Sequence, residues 1–435
     1  MRRLLALAAG LGVALALPAS AFGHAIISSA SPATQAAVAE APTEIRLEFN
    51  QPVTVTPRSI EVLAADGTVI SGAARVEEKS RAVVAPVSGL VRGSAYTVRW
   101  RVVGRDGHSP SGVYTFGIGV NPPPPTAAVG ARGTTWKDDA ARWALFAALA
   151  LVIGPLVVRL AVLRGPVPDA LERRVHLVTT VAAVSVINVG IAAFVIRASN
   201  ALQLPLADLL YGDLQPFAEK TRFGLAFLVM TVGFALVAAL LMLAWIFDLA
   251  APRWWALGLS IALVSGLSLA GHQGTEPNAS RVTALADWLH LVAASVWVGG
   301  VATLALLVWP AAPGLRARAF IGFSRIAVGL VGAMVLAGAY LAIVRLPGVS
   351  DLWQTDYGRM LLVKLGIVAL ALSWGGIHHV VVRPRLEAGR GVHARPSLVG
   401  ETVVAMTVLL AAAVLTNVSP PPVDSGSGPA ASAGR

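Results

Sequence analysis

The chain has 435 residues, of which 56% are hydrophobic and 13% charged, with a formal net charge of +11. A soluble globular chain carries about twice that charged fraction, so most of the length is expected in lipid. The arginines stand at the ends of apolar runs rather than on one polar face, which argues against nucleic acid and for anchoring at a membrane surface. No cysteine occurs, so an exported part would fold without disulfides and no thiolate can hold a metal.

Residues 1–23 carry Arg2 and Arg3, an apolar stretch from Leu4 to Leu17, Pro18, and small residues ending at Gly23. That order predicts a secretory signal peptide. Ala21-Phe22-Gly23 sets small residues where a signal peptidase reads, so cleavage after Gly23 would make His24 the mature N-terminus. An uncleaved anchor is the alternative.

Over 24–120 the period changes to two. Ile45, Leu47 and Phe49 alternate with Arg46 and Glu48, and Tyr96, Val98, Trp100 and Val102 alternate with Thr97, Arg99 and Arg101. Tyr114, Phe116 and Ile118 alternate again, and Asp66-Gly67 marks a hairpin turn. Short strands with Gly and Pro turns over such a length predict a small β-sandwich or barrel. A stiff, Pro-rich linker is expected over 121–138, beginning at Asn121 and Pro122 to Pro125.

Apolar runs of spanning length follow within 139–419, near 139–163, 174–198, 221–247, 252–272, 283–309, 320–345, 357–381 and 398–417. They predict an all-α bundle of eight transmembrane helices. With the β-domain exported, Arg159, Arg164, Arg173, Arg174, Arg253, Arg316, Arg318, Arg383, Arg385, Arg390 and Arg395 fall in inner loops, and fewer basic residues fall in outer ones. This matches the positive-inside bias and predicts an inner-membrane protein with its N-terminal domain and C-terminal tail on the extracytoplasmic side. The tail, 420–435, is rich in Ser, Gly, Ala and Pro and is expected to be disordered.

The sharpest chemical pattern is His24 with Asp106-Gly107-His108. A terminal His24 offers its α-amine and ring Nδ1, which close a six-membered chelate on a metal. His108 would add a second imidazole and Asp106 a carboxylate oxygen. Three nitrogens and one oxygen in a near-planar array suit Cu(II), and no Met lies between Met1 and Met230 to favour Cu(I). Taken alone, Asp-Gly-His is also an ordinary polar turn.

Within the spans, ionisable residues are functional candidates because lipid burial is costly. His272 ends the expected fourth span, and His290 lies in the fifth with Asp287 three residues before it on the same face. The two imidazoles can approach, with Asp287 as an acceptor that orients the His290 ring. Met360 and Lys364 share a face of the seventh span. Met360 reads as a soft ligand or as packing, and Lys364 as snorkelling or paired with a carboxylate such as Asp287. His378 and His379 end that helix as exit ligands or interface residues. Glu401 is expected to snorkel or to pair with an arginine.

His24-Ala25, Ser31-Pro32, Ala41-Pro42, the run Ile45 to Val53, Tyr96 to Trp100, Asp106 to Ser109, Gly112 and Tyr114 to Phe116 resemble the CopC family of periplasmic copper-binding proteins. That resemblance implies a cupredoxin-like Greek-key β-barrel and a Cu(II) site made by His24, Asp106 and His108. Gly271-His272, Asp287 to His290, Trp297 to Gly300, Phe323 to Arg325 and Gly358 to Lys364 resemble the CopD copper-resistance membrane family, which implies an eight-span protein associated with copper uptake. The expected function is Cu(II) capture followed by import, with the copper ion and the bilayer as partners and any donor or reductase protein unknown. A haem-binding redox membrane protein and an anchored copper chaperone or sensor are the alternatives. An enzyme is not expected: Asp106 would fill coordination space that an oxidant needs, and no carbohydrate-binding aromatic face is evident.

Overall fold

The computed structural model describes residues 25, 27–104, 110–122, 136–202, 222–270, 280–346, 348–416 and 418. The expected signal peptide, most of the linker and the tail lie outside them.

Ten strands form among the described residues, β1 (Ile27–Ser31), β2 (Ala37–Val38), β3 (Glu44–Phe49), β4 (Val53–Thr54), β5 (Ile60–Leu63), β6 (Arg75–Glu77), β7 (Ala82–Pro86), β8 (Ala95–Arg101), β9 (Val103–Gly104) and β10 (Ser111–Ile118). One sheet runs β1-β3-β7-β6 and a second β2-β10-β8-β5, with β4 and β9 as a separate pair. Neighbours in each sheet are mostly non-consecutive, as Greek-key crossovers require. Both sheets turn apolar faces inward. Ile45, Leu47 and Val83 from one and Val62, Val98 and Phe116 from the other are fully buried in a shared core, which makes the domain a β-sandwich. Tyr96 stacks on Phe116 with ring centroids 5.5 Å apart.

The expected alternation holds along β3, where every second residue is buried. It fails in β10, whose last five residues are all buried. On the edge of β10 away from β8, β2 pairs in parallel, with Gln35 N–H donating to the Thr115 carbonyl (2.8 Å) and Gly117 N–H to the Ala36 carbonyl (2.9 Å), so β10 is an interior strand of its sheet. The Asp66-Gly67 turn forms as its residues dictate. Gly67 takes a φ of +84°, and the Asp66 carboxylate accepts the Thr68 N–H at 2.9 Å, which holds its pKa below the usual range.

Charge organises the solvent face of β3. Arg46 donates to Glu77 (3.0 Å), Glu48 (3.3 Å) and Glu78, while the Ser29 hydroxyl donates to Glu48 at 2.8 Å. The Ser29 hydroxyl and then Arg46 hold the Glu48 carboxyl below its ordinary pKa. A carboxylate with a depressed folded pKa stabilises above its unfolded pKa and loses that contribution as pH falls through the folded value. Glu48→Gln should therefore loosen β3 at pH 7, and the difference from wild type should shrink and then vanish as pH falls through the depressed Glu48 pKa. Amide exchange at β3 in the full chain measures this.

The helical part contains α1 (Trp136–Val157), α2 (Asp169–Leu202), α3 (Arg222–Ile246), α4 (Ala250–Leu263), α5 (Arg281–Thr303), α6 (Arg316–Arg345), α7 (Asp356–Ile377) and α8 (Arg395–Leu415). Among the described residues seven helices are long and apolar enough to cross a membrane. The expected fourth span differs: α4 stops at Leu263, and a second short helix, Ser265–Ala270, follows after a turn at Val264. The Ser265 hydroxyl donates to the Ala262 carbonyl at 2.6 Å, and such back-bonding competes with the helical ladder.

Three spans widen into π-turns, at Val158–Val162, Leu304–Val308 and His378–Val382. The last two run into Pro310 and Pro384. Each proline lacks the N–H owed to the carbonyl four residues back, Leu306 and Val380, and its ring crowds that oxygen. The wider turn accommodates both defects.

Glycine sets how closely α1 and α5 approach. A Cβ on Gly299 would fall on the Ala150 carbonyl and within 2.9 Å of the Gly154 Cα, and one on Gly300 would enter the Phe323 ring. Small residues at such crossings let backbones touch. Gly299→Ala should cost about 2 kcal/mol or more by overpacking, read as a lower thermal midpoint of the full chain in detergent. An unchanged midpoint would show that α1 and α5 are not in contact there.

Candidate functional site

Of the residues the sequence singles out, His24, Asp106, His108 and His272 lie outside the described residues. The strands that lead to the first three are described, and their register carries information. Ile27 pairs with Phe49, and Val53 pairs with Gly104. The start of β1 and the strand entering the Asp106 turn thus flank one short stretch, 49–53. Across it Trp100 meets Phe49 edge-on at 5.7 Å, and Gln51 is buried. Ala25, directly after His24, belongs to the sandwich core. On the far side of the turn, Ser111 pairs with Arg101 and Val102 N–H donates to the Pro110 carbonyl at 3.1 Å. Gly104 and Pro110 are thus the described residues on either side of 105–109, Gly104 paired with Val53 and Pro110 bonded to Val102.

In the membrane helices, His290 sits half-buried on α5 with its Nδ1 3.1 Å from the Met334 carbonyl of α6. A carbonyl only accepts, so Nδ1 carries the proton and neutral His290 keeps a lone pair on Nε2. Its ring rests on Gly338, where a Cβ would stand 3.1 Å from Cε1. Asp287 does not act as the expected acceptor for this ring: it pairs with Arg345 of α6 at 3.6 Å, both side chains being 17% exposed. A guanidinium offers full charge compensation to a carboxylate in lipid and an imidazole N–H does not, so the arginine takes Asp287 and a backbone carbonyl orients the histidine. Lys364 of α7 belongs to the same group, exerting an electrostatic influence on His290 along with Asp287 and Arg345.

Met360 does not join them. It packs with Tyr357, Leu361 and Leu415 in an apolar cluster, which is the packing alternative for that residue.

Lys364 and His378 are 14 residues apart in sequence, about 21 Å along a helix. At the His378 end stands a network that sequence reasoning did not assemble. Glu401 of α8 neither snorkels nor meets an arginine. Its Oε2 lies 2.6 Å from His378 Nδ1, and His378 Nε2 lies 2.7 Å from the Ser397 hydroxyl. The Trp374 indole N–H donates to the same hydroxyl at 3.0 Å. Both His378 and Glu401 are 4% exposed. The neighbouring His379 turns away, its Nδ1 3.0 Å from the Ser324 hydroxyl. The signal available beforehand was that both residues lie toward the same end of consecutive helices, His378 just after α7 and Glu401 in the second turn of α8.

Among the described residues no group of three or more His, Cys, Asp or Glu side chains could hold a metal ion.

Comparison with known proteins divides the chain in the same way. The CopC domain model matches residues 27–119, the copper resistance protein D-like N-terminal domain model 135–282, and the copper resistance protein D model 317–415. The chain is 28% identical over 427 residues to the copper transport protein CutJ of Bacillus subtilis, covering 93% of this chain and 76% of that protein. It is 32% identical over 200 residues to copper resistance protein D of Pseudomonas syringae pv. tomato, covering 41% of this chain and 62% of that one. The crystal structure of CopC from Methylosinus trichosporium OB3b aligns at 28% identity, over 24% of this chain and all of that chain, with a TM-score of 0.20. With a β-sandwich matched by the CopC model and membrane-length helices matched by both CopD-type models, the chain belongs to the copper resistance and transport family as a CopC–CopD fusion.

Proposed function

We propose that this protein captures Cu(II) on its β-domain and imports copper across the inner, cytoplasmic membrane. The mature N-terminus would be His24, whose α-amine and Nδ1 chelate the ion together with the His108 imidazole and the Asp106 carboxylate. The observation that carries this reading is the strand register, in which Ile27 pairs with Phe49 and Gly104 with Val53. It supports bringing a terminal histidine and the Asp106 turn to one end of the domain. The donor set then dictates the ion, since nitrogen-rich tetragonal ligation favours Cu(II).

The β-domain and tail lie on the extracytoplasmic side in this reading, with the basic loops inside. Fusion keeps the captured ion at high local concentration beside the helices that accept it. In the bundle His290 offers Nε2 while Met334 fixes the ring, as ligating histidines are commonly held. Two cations stand close by, so a copper ion there would be bound weakly and released readily. His272 keeps its expected part as a ligand beside the fifth span. The similarity to CutJ, named as a copper transport protein, supports a role in moving copper.

Titration of the purified full chain with Cu(II), followed by calorimetry and visible absorbance, should give one cupric site per chain. His24→Ala and His108→Ala should each weaken it about 100-fold, or about 2.7 kcal/mol. Acidification should release the ion as the amine and imidazoles are protonated. Mass spectrometry placing the processed N-terminus elsewhere, or two variants that bind like wild type, would overturn the site.

Copper accumulation in cells tests the membrane half. His290→Ala should lower accumulation at least tenfold at equal protein level while leaving Cu(II) titration unchanged. Accumulation equal to wild type would defeat the internal site. A Soret band in the purified protein that disappears in this variant would favour the haem alternative instead.

A further inference from the structure

The His378 network has no task in copper capture, yet it places a carboxylate, an imidazole and a hydroxyl in one hydrogen-bonded line inside a membrane domain. Among the described residues no Arg or Lys pairs with Glu401; its ion-pair partner is His378. The helices make room for the group. A Cβ on Gly375 of α7 would stand 3.2 Å from Glu401 Oε1, and one on Gly400 of α8 would stand 2.7 Å from the Trp374 ring. The imidazole also belongs to a π-turn, a local defect found often at functional positions.

The donor and acceptor inventory limits what this line can do. The Trp374 indole N–H only donates, so Ser397 Oγ accepts from it. The Ser397 hydroxyl can then donate to His378 Nε2, and Nδ1–H donates to the Glu401 carboxylate, leaving a net charge of −1. Adding one proton at Nε2 reverses a single bond: the imidazolium N–H donates to Ser397 Oγ, whose hydroxyl rotates away. The site is then neutral overall, and both states use the same heavy-atom positions. A hydrogen-bonded line with two complete arrangements that differ by one proton is the minimal form of a proton-binding site.

The surrounding charges do not take over either partner. On α7 and the helical turn after it, His379 bonds Ser324 and Arg383 pairs with Glu387 at 2.9 Å. On α6, Arg316 donates to the Trp309 carbonyl, Arg318 to the Arg164 carbonyl, and Arg325 is exposed. On α8 Arg395 is exposed, and the π-turn Leu304–Val308 carries no titratable side chain.

We propose that His378 and Glu401, with Ser397 as relay, form a proton-binding site whose occupancy changes as copper passes through the membrane domain. A cation crossing a medium of low dielectric is opposed by the charge it adds, and release of a proton nearby keeps the total constant. The coupling rests on the copper-carrier reading above; the proton site does not.

The test uses the full chain in liposomes with a pH-sensitive dye in the lumen and copper ions outside. Copper entry should shift luminal pH in wild type. Glu401→Gln and His378→Asn should each reduce that shift at least tenfold, and Glu401→Asp should restore part of it. Copper entry without a pH shift, or variants that match wild type, would overturn the proposal. Should Glu401→Gln fail to reach the membrane, His378→Asn reads the same step. If no copper enters with wild type, the carrier reading fails, and infrared spectra of the same liposomes over a pH range decide the proton site. Carboxyl and imidazole bands that titrate in wild type and vanish in both variants support it. Their persistence in both overturns it.

Discussion

Hydrocarbon supplies no hydrogen bonds, so each polar group carried into the membrane by this chain must find its partner in the protein. That constraint organises the helices. Thr179, Ser260, Ser295, Thr303 and Thr402 return their hydroxyls to carbonyls of their own helix four residues back. Arg159, at the end of the first span, pairs with Glu172 at the start of the next at 2.6 Å. Asp287 takes Arg345, His290 takes a carbonyl, and Glu401 takes His378. Once these pairs are made, the faces on which α5, α6, α7 and α8 meet are fixed. Glycines at 299, 300, 338, 375 and 400 then allow the close approach that the pairs require.

The β-domain solves a different problem. Water satisfies its outer face, and the strands need only turn one side inward, which leaves the edges and ends available for chemistry. Its registers bring the first strand and the strand entering the Asp106 turn alongside one five-residue stretch. On the proposed reading the copper ligands belong to a chain terminus and a turn, held by a rigid sandwich but not built into its core. Such a site can load and unload without repacking the domain.

Capture and passage also ask for opposite electrostatics. A terminal amine, two imidazoles and a carboxylate hold a divalent ion firmly. The membrane cluster around His290 offers one imidazole lone pair among Lys364, Arg345 and a carboxylate already engaged. Affinity falls along the proposed path, which is the order a carrier needs. On the proposed reading the His378 network adds a proton-exchanging group, so that charge need not accumulate where lipid would oppose it.

The sequence by itself determined the class of each half, because solvent acts locally. Period-two burial at Ile45, Leu47 and Phe49 and the Asp66-Gly67 turn follow from nearest neighbours, and spans follow from the length of apolar runs. It also determined the chemistry of the candidate ligands, since residue type alone decides which donors exist. Partner choice was legible only in the tertiary structure. Asp287 is three residues from His290 yet pairs with Arg345, 58 residues away; Glu401 meets His378 across two helices; and the Gln35 N–H reaches the Thr115 carbonyl at the edge of β10. Each of those outcomes is a competition among distant groups for the same buried charge or hydrogen bond. Only the packed chain brings the competitors within reach of one another.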